Sequence, residues 1–149
     1  GRLPVGQRLE ENNVKFENDR KKSYLRGYRM HGRRIKRIEL EIDEIRNLKM
    51  YPSVNNDGMP HGSGQGDLSS YAAELHEKEE ILYQEGVEQV KAYKDISWRI
   101  QQLENEDERD VLFYRYIKGM NWWEIAESMQ FSERQVFRIH GKALANLKI

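Results

Sequence analysis

The sequence predicts an all-α protein: a long antiparallel helical hairpin followed by a module of three short helices. Charged residues make up 34% of the chain and hydrophobic residues 38%, a balance that favours long helices with solvated faces over a wide core. The chain has only three prolines, and the third lies in a glycine-rich stretch. Apolar residues otherwise recur at helical spacing, and no stretch alternates as a β-strand does.

The first helix of the hairpin is predicted from about Asp19 to Met50. Residues 1–18 show no periodicity, so we expect a flexible N-terminal arm there. Pro52 disfavours helical geometry at Tyr51 and so places the end of the helix near Met50. The apolar positions alternate between spacings of three and four residues, as in the seam of two packed helices. They are Tyr28, His31, Ile35, Ile38, Ile42 and Ile45.

The second helix is predicted from about Leu68 to Leu103, with N-cap oxygens available from Asp67, Ser69 and Ser70. Its expected apolar stripe comprises Tyr71, Leu75, Leu82, Val90, Tyr93, Ile100 and Leu103, with Ile96 and Trp98 beside it. The first helix is basic and the second acidic, which favours antiparallel pairing over residues 19–103. The basic run from Arg29 to Arg37 either pairs with the acidic helix, which we favour, or binds nucleic acid.

The connection over residues 51–67 includes the unusual stretch "DGMPHGSGQGDLSSY". It does not end in the Gly-Lys-Ser/Thr of a phosphate loop, and no βαβ unit surrounds it. His61 and Asp67 could form a catalytic pair, but a bend between helices is the interpretation we favour. The chain has no cysteine, and its four histidines lack the spacing of metal ligands. We therefore expect no enzyme activity, metal or cofactor.

Residues 104–149 divide into three short helices. The first is expected from Glu106 to Ile117 with Gly119 as its stop signal, and the second runs from a capping box at Asn121 to about Met129. After a short turn at Gln130 and Phe131, Ser132 caps the third helix. Two short helices across a tight turn predict a helix-turn-helix, whose third helix would read DNA. The predicted DNA-binding residues are Ser132, Glu133, Arg134, Gln135, Arg138, His140 and Lys142.

The stretch "ENEDERDVLFYRYIKGMNWWEIAESMQFSERQVFRIHGKALANL" resembles region 4 of bacterial sigma factors, which reads a promoter element and touches RNA polymerase. That family commonly has glycine where Gln130 stands. With the "MPHGSGQGDLS" loop, nearly the whole chain is similar to phage and prophage regulators of the ArpU/RinA-like group. This resemblance implies a regulator of late phage genes in the bacterial host cytoplasm, with double-stranded DNA and host RNA polymerase as partners.

Two other functions fit the same features. A helical protein–protein adaptor could use the sigma-like tail to bind protein, and a phage DNA-packaging recogniser of the small terminase type also joins a helix-turn-helix to long helices. The charge is segregated: residues 1–50 carry 14 Lys and Arg against 8 Asp and Glu, and residues 111–149 carry 6 against 3. The neutral chain can therefore present basic surfaces. No apolar run approaches the ~20 residues that span a bilayer. The sequence leaves the oligomeric state open, homo-oligomers included.

Overall fold

Every regular element in the part of the chain that the structure describes is a helix, as predicted. The computed structural model describes residues 2–50 and 64–149. The long helices are α1 (Val5–Leu25), α2 (Gly27–Met50) and α3 (Gly64–Gln101). The short ones are α4 (Glu106–Leu112), which continues into a π-helical turn (Phe113–Ile117), α5 (Trp122–Met129) and α6 (Glu133–Asn146).

The N-terminal segment differs from the prediction, because α1 covers most of the expected arm. Its residues are largely good helix formers, so a helix forms without an apolar stripe. Leu25 is its only buried residue, and the apolar side chains Val5, Leu9 and Phe16 are exposed. α1 ends at Leu25, and Arg26 separates it from α2, which begins at Gly27. The prediction had one continuous helix from Asp19, without this break.

The beginning of α3 also differs from the prediction. The helix begins at Gly64, so Asp67, Ser69 and Ser70 lie inside it and not before its first residue. Residues 51–63, which include His61 and most of the predicted glycine-rich loop, lie outside the described residues.

Residues His31–Gln89 form one compact unit, in which α2 and α3 run antiparallel. His31 contacts Glu85 at 2.7 Å, whereas Glu41, farther along α2, contacts Lys78 at 2.9 Å. Ile38, Ile42 and Ile45 are buried, as their spacing predicted. In the basic run from Arg29 to Arg37, the charge pairing that we favoured is present at Arg34, which pairs with Glu85, and Arg46, outside that run, pairs with Glu79.

Polar residues occupy part of the α3 side of this seam. Lys78, Glu85 and Gln89 are partly buried at helical spacing between the apolar positions. Gly32 of α2 leaves room for Gln89, since a Cβ there would lie 3.2 Å from the Gln89 side-chain nitrogen. The predicted stripe missed these positions because it counted apolar residues only. Polar side chains in a helical seam favour one register over others.

Residues Gly1–Met30 and Val90–Ile149 form the second compact unit. Its larger core joins Leu25, the end of α3 and the C-terminal helices; its buried members are Leu25, Ile96, Ile100, Leu103, Leu112, Tyr116, Ile117, Ala143, Leu144 and Leu147. The predicted boundary between residues 103 and 104 therefore divides a continuous core. Val90, placed in the predicted stripe, is 53% exposed, and Ile96 is buried at 1% exposure.

Candidate nucleic-acid interface

The helix-turn-helix is supported by α4 and the π-helical turn. The Asn105 side chain accepts a hydrogen bond from the Glu108 amide and caps α4. Glu108 is itself buried, and its carboxylate accepts a 2.7 Å hydrogen bond from the Asn146 side chain at the end of α6. The π-helical turn ends before Gly119, whose φ of 70° is the left-handed geometry expected of a helix stop.

Local sequence sets both ends of α5. At its start, the Asn121 side chain accepts a 3.0 Å hydrogen bond from the Glu124 amide, which is the first half of the predicted capping box, whereas the Glu124 carboxylate accepts from the Asn121 side chain and not from its backbone. At its end, Gln130 adopts a left-handed conformation with φ 58° and ψ 39°. The amides of Gln130 and Phe131 donate to the carbonyls of Glu127 and Ala126, which is the Schellman arrangement that glycine usually terminates.

Residues 130–132 form the turn of the helix-turn-helix. Ser132 caps α6, and its side-chain oxygen accepts a hydrogen bond from the Gln135 amide. Ile125 and Val136 are fully buried across the turn, together with the small Ala126 and with Val111 of α4. The two helices of the motif are thus held by caps at the turn and by a small apolar core.

The outward side of α6 carries three cations, Arg134, Arg138 and Lys142, which are all exposed. Within residues 2–50 and 64–149, none of the three side chains has a hydrogen bond or an ion pair. Guanidinium groups on an exposed helix face are able to donate paired hydrogen bonds to guanine edges or single ones to phosphates. The structure therefore leaves these three side chains available to a ligand.

Three other predicted contacts differ in their availability. Ser132 and Gln135 are exposed, but the Gln135 side chain accepts a 2.7 Å hydrogen bond from the Ser132 amide and completes a capping box. A base contact by Gln135 would compete with that bond. Glu133 is exposed in the first turn of α6, where a carboxylate favours the positive end of the helix.

His140 faces the core, which corrects its prediction as a DNA contact. It is 7% exposed, and its Nε2 atom lies 2.8 Å from the Tyr116 hydroxyl. Burial, with the nearby cations Lys22, Arg115 and Arg26, lowers the pKa of His140 to about 4. The same burial raises the pKa of Tyr116. His140 is therefore neutral at pH 7 and stabilises the core.

Trp122 connects α5 to its neighbours, as expected for a core residue. The Arg115 guanidinium lies 4.3 Å from its ring centre, and the ring centres of Phe137 and His140 lie 5.0 and 4.8 Å away. Trp123 is exposed beside it. Phe137, which the sequence analysis did not select, is also exposed on α6.

A further cation near the motif comes from α2. The Arg29 guanidinium lies against Gly119, so close that a Cβ at Gly119 would overlap it. Gly119 is followed two residues later by the N-cap of α5. Sequence analysis could not find this contact, because nothing local marks a pairing between residues so far apart in the chain.

The described residues contain neither a group of side chains that could hold a metal ion nor a helix that could cross a membrane. Over residues 2–50 and 64–149, no group of three or more His, Asp and Glu side chains is placed to hold a metal ion. None of the helices in these ranges is both long enough and apolar enough to cross a membrane.

Comparison with protein-family models places the chain in a family. A family model described as "Protein of unknown function (DUF1492)" matches residues 48–148, which is more than half of the chain and includes α3 to α6. No curated protein and no solved structure matches the chain.

Proposed function

We propose that this chain, which belongs to the DUF1492 family, is a sequence-specific DNA-binding transcription regulator that places α6 in the major groove. The observation that carries the proposal is the outward face of α6. Arg134, Arg138 and Lys142 lie there at helical spacing, exposed and without partners among the described residues. Polar faces are common on helices, but this one follows a capped three-residue turn.

The rest of the motif supports the same use. In a helix-turn-helix the second helix enters the major groove while the first crosses the DNA backbone. Here Ile125, Ala126 and Val136 join the two helices on their buried sides, which leaves the opposite side of α6 exposed. Glu133, at the beginning of α6, would accept a hydrogen bond from a cytosine amino group if it reached a base edge.

The resemblance of residues 104–147 to sigma region 4 supports a more specific role. On that basis the protein regulates late genes of a phage or prophage together with host RNA polymerase. We do not identify a segment that would melt a promoter, so the protein would recruit or assist polymerase. Reconstituted transcription from a promoter that carries the selected DNA site, with and without the protein, tests this role.

The DNA-reading assignment is tested by selecting a duplex from a random library with the full-length protein. Binding to that duplex is then measured by fluorescence anisotropy for Arg134→Ala and Arg138→Ala. We expect each loss of a base contact to weaken binding by about 1–3 kcal/mol, roughly 5- to 150-fold. Arg138→Lys distinguishes the type of contact, since lysine replaces a phosphate contact but not a paired contact to a base.

Lys94→Ala is the matched control, because it removes an exposed cation of α3. If both arginine variants bind the selected duplex as tightly as the wild type at ~150 mM salt, α6 does not read DNA. A chain that selects no duplex at any salt concentration would instead support the protein–protein adaptor. A large ring-shaped oligomer, measured by light scattering, would support the DNA-packaging recogniser.

A further inference from the structure

The basic side chains at the junction of α1 and α2 lie in the same compact unit as the helix-turn-helix. Arg29 is the best defined of them, since its guanidinium lies against Gly119. Gly119 is two residues before Asn121, the N-cap of α5, so the two Cα atoms are at most ~7 Å apart. The N-terminal part of α2 thus brings a cation to the beginning of the first helix of the motif.

Two further cations lie shortly before Arg29 in the chain. Lys22 and Arg26 precede Arg29 by seven and three residues, so the three lie close together in the chain at the α1–α2 junction. Lys22 and Arg26 both lie near enough to His140 of α6 to influence its charge, and Arg26 also lies near Tyr116. We call Lys22, Arg26 and Arg29 the junction stripe.

Among the described residues the junction stripe has no acidic partner, whereas three arginines of α2 do. Arg34 pairs with Glu85 at 3.6 Å, Arg37 with Glu41 at 3.5 Å and Arg46 with Glu79 at 3.3 Å. In the described part of the chain, no carboxylate lies within ion-pair distance of Lys22, Arg26 or Arg29. Cations without a carboxylate beside them remain available to an anionic ligand.

We infer that the junction stripe binds the DNA backbone beside the helix-turn-helix and extends its interface to additional phosphates. The inference rests on the proposed function, because the first helix of such a motif crosses the DNA backbone and Arg29 lies at the beginning of that helix. Phosphate contacts from outside the motif increase affinity and orient the protein without reading sequence. The stripe also lies outside the matched range 48–148, so it is not part of the matched family region.

The experiment uses full-length protein and two probes, the selected duplex and a mixed-sequence duplex of equal length. In the main variant, Arg26→Gln and Arg29→Gln are combined. We expect similar weakening on both probes, about fivefold or more per lost contact at ~0.1 M salt, and a salt slope reduced by about one per contact. Combined Arg26→Lys and Arg29→Lys should retain the slope, because lysine also binds phosphate.

Two comparisons make the result specific. Arg8→Gln combined with Lys94→Gln removes two exposed charges from the same compact unit and should change the salt slope less than the main variant. Arg134→Ala in parallel should reduce binding to the selected duplex more than to the mixed one. If Arg134→Ala behaves in this way while the main variant retains wild-type affinity and slope, the inference is overturned and the proposed function stands. If Arg134→Ala has no effect either, both are overturned.

Discussion

At Gly119 the backbone has a φ of 70°, and the Arg29 guanidinium lies against it. The first property could be predicted, because a glycine after a helical pattern usually adopts this geometry. The second could not, because it depends on how α2 packs. Any side chain at Gly119 would strain the backbone and would also displace the Arg29 guanidinium. Two separate structural reasons therefore favour glycine at this position.

Gln130 has the same left-handed backbone geometry as Gly119, but it carries a Cβ atom, which glycine lacks. Its left-handed conformation costs roughly 1 kcal/mol relative to glycine, in line with the departure from the sigma pattern. The resulting turn still has both Schellman hydrogen bonds. Gln130 is therefore a strained residue in the turn geometry that glycine usually adopts.

His140 makes the stability of its compact unit depend on pH. Its pKa is about 4 in the folded chain, against an ordinary value of 6.5. The unfolded chain therefore binds the proton more readily, so the stabilisation is complete above about pH 6.5 and is lost as the pH falls toward 4. Between about pH 7.5 and pH 5, we expect a loss of about 2 kcal/mol in the free energy of unfolding.

Urea unfolding followed by tryptophan fluorescence measures this loss, because all three tryptophans lie within Val90–Ile149. His140→Gln, which can still hydrogen-bond to Tyr116, should remove this part of the pH dependence. His76→Gln, an exposed histidine of α3, should leave it unchanged. Equal pH dependence in all three proteins would show that His140 is not held neutral by the fold.

At the scale of the helices, an isoleucine stripe predicted the hairpin seam well. Ile38, Ile42 and Ile45 are buried because alternating spacings of three and four keep one face toward a partner. The partner stripe on α3 was predicted less well, since Lys78, Glu85 and Gln89 contribute polar atoms to the seam. Whether a polar residue faces a seam depends on the partner helix, for example on the ion pair that Lys78 makes with Glu41.

The seam can be tested by combining Ile38→Asp with Ile42→Asp. Two buried charges without partners should abolish the cooperative unfolding of the His31–Gln89 unit. Hydrogen exchange of the amides in this unit measures the effect. The control combines Leu40→Asp with Leu48→Asp, which are 61% and 54% exposed on the same helix, and should retain protection. Similar protection in both variants would mean that the isoleucines are not packed.

At the scale of the whole molecule, the sequence predicted two domains in chain order, whereas the structure joins the two ends of the chain in one unit. The prediction relied on local periodicity, and the N-terminal segment shows none. Leu25 is the single buried residue of α1 and lies at the end of the helix, so no repeating pattern marks it. Lys21 donates a 2.7 Å hydrogen bond to the Leu144 carbonyl of α6. No local sequence pattern indicates this contact either.

This arrangement predicts that the stability of the unit that contains the helix-turn-helix depends on α1. Leu25 is fully buried in the core that also holds Tyr116 and Leu144, so Leu25→Ala should destabilise the unit by about 2–5 kcal/mol through a cavity. The matched control is Leu9→Ala, the same change on the same helix at a residue that is 59% exposed, which should alter stability by no more than ~0.5 kcal/mol.

Urea unfolding monitored by tryptophan fluorescence distinguishes the two variants, and anisotropy with the selected duplex gives the consequence for binding. Where Leu25→Ala leaves the unit folded, its DNA affinity should stay close to wild type, because Leu25 contacts the core and not the outward face of α6. Near its unfolding midpoint, affinity should fall in proportion to the folded fraction. If Leu25→Ala and Leu9→Ala unfold at the same urea concentration, α1 does not stabilise the helix-turn-helix, and the support for the junction stripe weakens with it.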